Sequence, residues 1–402
     1  MTTSTTYIDA IDELKAELNN NSDLRNLILE SLQQAKKQAK KQLKEGLFQA
    51  LEWPETIEEY ICYLINFSRH TPQQSSNPAW TEPEMDEQQE VYDRLCHFYW
   101  LIDQQTSQNN NKIVENNEWF SQWLVRYANQ WGSFLDTTES FSQKILDSFI
   151  NDSPKYRVED SMIDVDQPNS PSGWLTFNQF FARELNPGLR PISSPADNSI
   201  ITSPADCTYR KKYTIGADSE IPEITIKKTH KFANVKDLLQ GSPDADKFAN
   251  GTFIHYFLGP YSYHRFHLPV SGLLRECRAV NGLVYLEVGI EDEQFSAPDN
   301  SGDNGGGYEF TQARGIVIVD TANSEFGDIG LVAVIPVGMC QVSSVKMTAS
   351  VNTNMLKGDE FGYFLFGGSD IIILLQDGID PQIVTNSQYR HYGSEIATCH
   401  CR

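Results

Sequence analysis

The texture of the chain changes near its middle, and that change constrains the fold more than any single residue does. Up to about residue 150, apolar side chains recur at helical spacing. Leu24, Ile28, Ala35, Ala39, Leu43 and Leu47 form one stripe, which predicts a long helix. The stretch Pro54 to Phe67 opens with proline and acids suited to a first turn, and Tyr60, Ile61, Tyr63, Leu64 and Phe67 give it an apolar face. Further helices are predicted over 88–105, 118–131 and 139–150, separated by the loop-like TPQQSSNPAW and QQTSQNNNK. From about residue 198 the pattern becomes short Val- and Ile-rich runs bounded by turn residues, such as GTFIHYF, RGIVIVD, IGLVAVIPVGM and DIIILLQ. Such runs read as strands. The expected class is therefore α+β: a helical N-terminal domain over 1–155, a connecting segment with a helix over 156–197, and a β-rich domain over 198–402.

Charge and composition narrow the function classes. Acidic residues number 54 against 32 basic ones, a net charge of −22. That balance argues against nucleic acid as a partner, since neutralising phosphates takes clustered Lys and Arg. No run approaches the ~20 apolar residues that span a bilayer. The N-terminus MTTSTTYIDAIDELK has neither the basic nor the apolar region of a secretory signal. Seven scattered cysteines read as reduced thiols. Together these give a cytoplasmic expectation. The one basic cluster, Lys36, Lys37, Lys40, Lys41 and Lys44, lies on a helix whose apolar side is mostly Ala and Leu, with Phe48 as its bulky aromatic. That pattern suits a solvated face better than a lipid surface.

No metal site is expected. Asp299, Ser301 and Asp303 alternate like the start of a calcium loop, but the glycine comes one place late and Phe310 stands where Glu is required. Cys399, His400 and Cys401 lack a fourth spaced ligand and read as a frayed tail.

Three short motifs carry possible chemistry. Phe366-Gly367-Gly368-Ser369 lies between two apolar strands, where glycines permit a tight, exposed turn with positive φ and could present a serine to a carbonyl. Alone it is an ordinary turn sequence. Tyr263-His264-Arg265-Phe266-His267 places two of eight histidines three residues apart. Histidine is the usual general acid or base near neutral pH. Positions three apart point to opposite faces of a straight strand, so joint action would need a bend. Ser203-Pro204-Ala205-Asp206 echoes Ser194-Pro195-Ala196-Asp197 and offers an aspartate after a proline turn. Upstream, Trp174, Phe177, Phe180, Phe181 and Leu185 predict a helix ended by Pro187 and Gly188, which brings Arg183 and Arg190 towards the motifs that follow.

Taken together, FFARELNPGLRPI, the second SPAD, YHRFHLP and LKGDEFGYFLFGGS occur in one order over about residues 170–380. In that order they resemble the pyruvoyl-dependent phosphatidylserine decarboxylases. The N-terminal half resembles a branch with an added helical domain that includes fungal L-tryptophan decarboxylases. The resemblance implies self-cleavage between Gly368 and Ser369. The Ser369 hydroxyl attacks the Gly368 carbonyl, and β-elimination and hydrolysis leave a pyruvoyl group on the new C-terminal chain. It further implies His267 as the base, Asp206 as its orienting partner, and His264 as an aid to decarboxylation. Arg265 is a candidate for holding the substrate carboxylate, or equally a structural ion pair. The implied cofactor is the covalent pyruvoyl, the implied partner a small-molecule amine, and the implied product an α and a β chain, in a possible homodimer.

The sequence departs from the lipid enzymes of the family at Cys207, where they usually carry Gly, and at Gly367-Gly368-Ser369-Asp370, where Leu-Gly-Ser-Thr is usual. An aromatic amino acid such as L-tryptophan is the expected substrate. Phosphatidylserine, with membrane contact, is the alternative. A non-cleaving, non-catalytic binding relative is the alternative of another class.

Overall fold

The computed structural model describes residues 9–82, 87–105, 113–161, 173–226, 231–297, 307–338, 344–367 and 369–401. Contacts divide the chain into two compact units. One comprises Met1–Pro154, Leu175–Phe177 and Tyr285–Ala297; the other comprises Lys155–Trp174, Asn178–Val284 and Pro298–Arg402. The division is not collinear with the sequence, because a short hairpin (Gly289–Glu291 with Gln294–Ser296) from the later half belongs with the helices.

The first unit is helical, with α1 (Ala10–Asn20), α2 (Ser22–Gln42), α3 (Glu45–Ala50), α4 (Ile57–Phe67), α5 (Glu90–Trp100), α6 (Glu118–Leu135) and α7 (Gln143–Asp152). The single long helix expected from the Leu24–Leu47 stripe is two helices. Leu43 turns extended at ψ 149° and the Lys44 amide donates to the Glu293 carbonyl instead of continuing the helix. α4 starts at Ile57 and not Pro54, because Thr56 and Glu59 close a reciprocal capping box there. Trp123, Trp131, Tyr60, Tyr99, Tyr127, Phe98 and Phe120 fill the core. Their polar tips are anchored where the backbone offers carbonyls: Tyr127 donates to Leu64 and Trp123 to Ala10. The lysine cluster is partly spent within this unit. Lys36 pairs with Glu55, and Lys44 Nζ donates to the Thr81 carbonyl at 2.7 Å.

The second unit is built on an eight-stranded antiparallel sheet. Its strand order is Asn354–Met355, Gly272–Val280, Arg314–Asp320, Leu331–Gly338, Ser369–Leu375, Thr252–Leu258, Cys207–Thr214 and Tyr389–Arg390. Leu331–Gly338 and Ser369–Leu375 are buried along their whole length, and Arg314–Asp320 up to its last residue. Their continuous apolar runs follow from having both faces covered, where a one-sided sheet would alternate. Ile316, Ile318, Ala333, Ile335, Ile372 and Leu374 share one cluster with Phe253 and Phe310.

Among the described residues three small sheets complete the unit: Val345–Met347 with Glu360–Phe364 and Arg265–His267, Gln382–Ile383 with Glu395–Thr398 and Ile200–Thr202, and Glu220–Ile226 with Lys231–Asn234. The pairing runs to Thr398 and one residue further, where Cys399 donates its amide to the Ser199 carbonyl, while His400 and Cys401 lie exposed beyond it. The helix expected across 174–190 is one turn, α8 (Phe177–Phe181). Leu185 lies beyond it, and the chain then leaves by an Asn186 amide bond to the Asp160 carbonyl. Among the described residues no helix is long and apolar enough to cross a membrane. Asp299, Ser301 and Asp303 lie outside the described residues.

Candidate active site

Ser369 opens the central strand of the sheet. Its backbone faces Leu258 on one neighbour and Gly338 on the other. Its side chain is fully buried, and Oγ has no hydrogen-bond partner among the described residues. Gly368 lies outside the described residues. The preceding Gly367 adopts φ +146°, a conformation suited to glycine, so the chain turns sharply before the strand begins. This turn is buried, contrary to the exposed loop expected from its Gly-Gly-Ser composition, because it feeds the middle of a covered sheet. A buried Asn178 from α8 holds it, accepting from the Phe366 amide at 3.2 Å. Phe181 packs its ring edge-on against Phe366 at 5.1 Å.

The two histidines of the YHRFH motif face different surroundings. His264 precedes the short Arg265–His267 strand and stacks on Phe181, centroid to centroid 3.9 Å. It is fully buried, and among the described residues neither ring nitrogen makes a well-formed hydrogen bond, the Ser262 backbone acting on the ring only weakly. Burial, reinforced by the nearby Arg183 charge, keeps its pKa well below that of free histidine. The Tyr392 ring lies flat on His267, 3.8 Å away and parallel within 4°, and the Tyr263 ring packs beside both of them. Its Nδ1 is 2.8 Å from the Gly358 carbonyl and its Nε2 3.1 Å from the Tyr263 hydroxyl. The carbonyl fixes the proton on Nδ1, leaving Nε2 as the acceptor. Burial holds the pKa at about 4. A neutral imidazole can take a proton at its acceptor nitrogen at neutral pH, here once Nε2 exchanges the Tyr263 hydroxyl for the proton it receives.

Asp206 is not the hydrogen-bond partner of His267. Its carboxylate is gripped by Arg190, with Nη2 2.8 Å from Oδ2, and accepts the Tyr392 amide at 2.8 Å. Asp206 therefore acts on His267 only through Tyr392, whose amide it binds and whose ring covers the imidazole. The guanidinium of Arg265 is committed to Glu360 at 2.8 Å, the Ala182 carbonyl at 2.8 Å and Glu184 at 3.4 Å, the arrangement of a structural ion pair. Cys207 is buried beside Ser203, and burial pushes its thiol up to about 12, so it is a packing group and not a nucleophile.

Behind Ser369 lies a polar cluster that motif reading did not assemble. Asp370 receives the Tyr308 hydroxyl and sits 3.2 Å from His255 Nε2. All but Tyr308 are essentially inaccessible, as is the adjoining Glu309. Burial alone would push the His255 pKa down, but the Asp370 charge beside it outweighs this and raises it above the ordinary histidine value. Burial keeps Glu309 above the usual carboxylate range. Only the odd Asp after the serine signalled this cluster in the sequence; His255 and Tyr308 reach it from other elements with no motif of their own.

Among known proteins, the family described as phosphatidylserine decarboxylase matches residues 177–398 of this chain. Phosphatidylserine decarboxylase proenzyme 2 of rice is 32% identical over 243 residues, which cover 59% of this chain and 36% of the rice protein. The decarboxylase iboD of Amanita muscaria is 29% identical over 277 residues, covering 63% of this chain and 76% of its own length. The phosphatidylserine decarboxylase proenzyme of Fusobacterium nucleatum is 31% identical over 239 residues, covering 58% of this chain and 71% of that protein. With more than half its length matched and the serine, both histidines and the aspartate inside the matched span, the chain belongs to the phosphatidylserine decarboxylase family.

Proposed function

We propose that this protein is a proenzyme that severs its own backbone at Gly368–Ser369 and then removes the α-carboxylate of a free amino acid, of the aromatic class typified by L-tryptophan. The observation that carries the reading is Ser369 itself: a buried hydroxyl without a partner, at the head of a central strand and directly after a glycine-enforced turn. A serine is a poor nucleophile unless a base takes its proton. Neutral His267 is the base assigned to that step, held in its tautomer by Gly358 and covered by the Tyr392 ring. Asn178 holds the backbone of the turn so that the scissile bond keeps its place beside the hydroxyl.

The family's serine-derived pyruvoyl fits here, because position 369 would become a chain end whose strand stays bound on both sides. Ile371, Ile372, Ile373, Leu374 and Leu375 are fully buried, each contributing about 1.5–3 kcal/mol by burial. When present, that group supplies a ketone for a primary amine and an adjacent amide carbonyl as electron sink. His264, neutral and stacked on Phe181, is assigned the proton delivered to the α-carbon after carbon dioxide leaves.

A free amino acid is favoured by the similarity to iboD, a decarboxylase not named for a lipid, and by the net charge of −22, which an anionic bilayer repels. The similarity to phosphatidylserine decarboxylases supports the second reading, phosphatidylserine. Incubation with L-tryptophan, other amino acids and phosphatidylserine vesicles, with carbon dioxide measured, separates them. Turnover with vesicles alone would overturn the amino-acid reading, and a chain that never cleaves would point to a binding protein.

A further inference from the structure

Lys357, Arg314 and Arg183 of the second unit are buried cations, and they are treated differently by their surroundings. Lys357 Nζ is satisfied by the carbonyls of Ser194, Asp197 and Ile200. Arg314 uses all three guanidinium nitrogens: Nε on Leu238, Nη1 on Gln312 and Nη2 on Asp237, at 2.7–2.8 Å. Arg183 is equally inaccessible, yet only Nη2 is bonded, to the Tyr156 carbonyl at 2.8 Å and the Tyr261 carbonyl at 3.5 Å. Its Nε and Nη1 have no partner among the described residues, and no carboxylate pairs with it. The Phe180 ring lies 5.3 Å from Cζ. A buried, partly unsatisfied charge is costly, and proteins rarely keep one without a use.

The place of Arg183 supplies that use. It stands two residues after Phe181, the ring that both stacks on His264 and packs against Phe366 before the scissile turn. Its charge is felt at His264, whose two ring nitrogens also make no well-formed hydrogen bond among the described residues. A positive donor and a neutral imidazole in one dry corner match a small anion with two oxygens. Arg265, the other nearby guanidinium, is already spent on Glu360 and Glu184.

We infer that Arg183 receives the α-carboxylate of the incoming substrate, with His264 as the second donor. The inference rests on the decarboxylase reading above, but not on which substrate is correct, because a free amino acid and phosphatidylserine carry the same α-carboxylate. It gives the site a direction. The acid is held by a charge that no carboxylate hydrogen-bonds among the described residues, Asp206 acting on it only from a distance, and the amine left after carbon dioxide departs has nothing to offer that charge, so product binds more weakly than substrate.

The test compares wild type with Arg183→Met and Arg183→Lys as full-length, self-cleaved proteins. Each is treated with cyanoborohydride and either L-tryptophan, L-serine or the methyl ester of each, and covalent capture on the 34-residue C-terminal chain is followed by mass. Wild type is expected to capture at least one free acid about tenfold better than its ester, and Arg183→Met to capture both alike. Arg183→Lys keeps the cation and falls between them, which preserves the test should the Met variant fail to cleave. The tryptophan and serine arms distinguish the two substrate sources. A melting temperature that does not fall in Arg183→Met marks a binding role, since a structural arginine would lower it. Equal capture of acid and ester by wild type, or an unchanged preference in the variants, overturns the inference. A wild-type chain without a phenylhydrazine-reactive carbonyl would instead sink the decarboxylase reading beneath it.

Discussion

Arg190 holds Asp206: its Nη2 lies 2.8 Å from the Asp206 Oδ2, and both side chains are almost wholly buried. Asp206 in turn fixes the Tyr392 amide, and the Tyr392 ring lies flat on His267. The aspartate thus positions the histidine through an aromatic ring, and the arginine holds that aspartate in place. Removing one partner of such a buried pair strands the other. Arg190→Met is expected to slow self-cleavage at least as much as Asp206→Asn, by about tenfold or more, with no further loss in the double variant. Time courses of intact mass check this, and additive effects would show that the two act separately.

The depressed pKa of His267 sets a pH dependence. In the unfolded chain the imidazole titrates near its ordinary value of 6.5, and in the fold near 4. The unfolded state therefore binds the proton first as pH falls. The stabilisation is complete above about pH 6.5 and is lost between there and pH 4, at most about 3 kcal/mol from this group. His97 in the helical unit, held at about 3 by burial, acts in the same direction. Melting temperature should fall on acidification through this window. Self-cleavage measured below the unfolding threshold should stay level from pH 7.5 to about 5.5, because His267 remains neutral. A cleavage rate that halves near pH 6.5 would contradict the buried setting described.

His255 Nε2 lies 3.2 Å from the carboxylate of Asp370, one residue after the proposed cleavage serine. His255→Ala would leave a buried carboxylate with the Tyr308 hydroxyl as its remaining donor, at a cost of about 3–5 kcal/mol. Asp370→Asn keeps an acceptor for Tyr308 and should cost less. Denaturant unfolding of both single variants and the double variant gives the coupling energy. A coupling near zero would mean that the pair contributes nothing to holding the strand.

His264→Ala should still cleave, because His264 makes no hydrogen bond that the self-cleavage needs. Its turnover should drop by about 10²–10⁴, the usual worth of a positioned acid or base. Separate measurement of chain cleavage and carbon dioxide release tests this, and normal turnover would remove His264 from the reaction.

Much of this architecture was legible from the residues, and the failures have physical causes. Helical stripes and Val- and Ile-rich runs report burial of one face or two, so α4, α6 and the central strands were readable. The break at Leu43 was not, because the Lys44 amide is taken by Glu293, far along the chain. The motif residues Asp206, His264, His267 and Ser369 were visible as a set. The partnership of Asp206 with Arg190 was not, since proximity across 16 residues leaves no periodic trace. The aromatic stripe of Trp174 to Leu185 overstated α8 because its rings serve separate neighbours: Phe177 packs near Phe149, while Phe181 covers His264.

The most direct measurement is the denaturing mass of purified protein beside its Ser369→Ala variant, each treated with phenylhydrazine. Wild type is expected to give two chains, the smaller spanning residues 369–402, with one reactive carbonyl on that chain, and Ser369→Ala a single inert chain. One intact wild-type chain, carbonyl-free after prolonged incubation, would contradict the account at its centre.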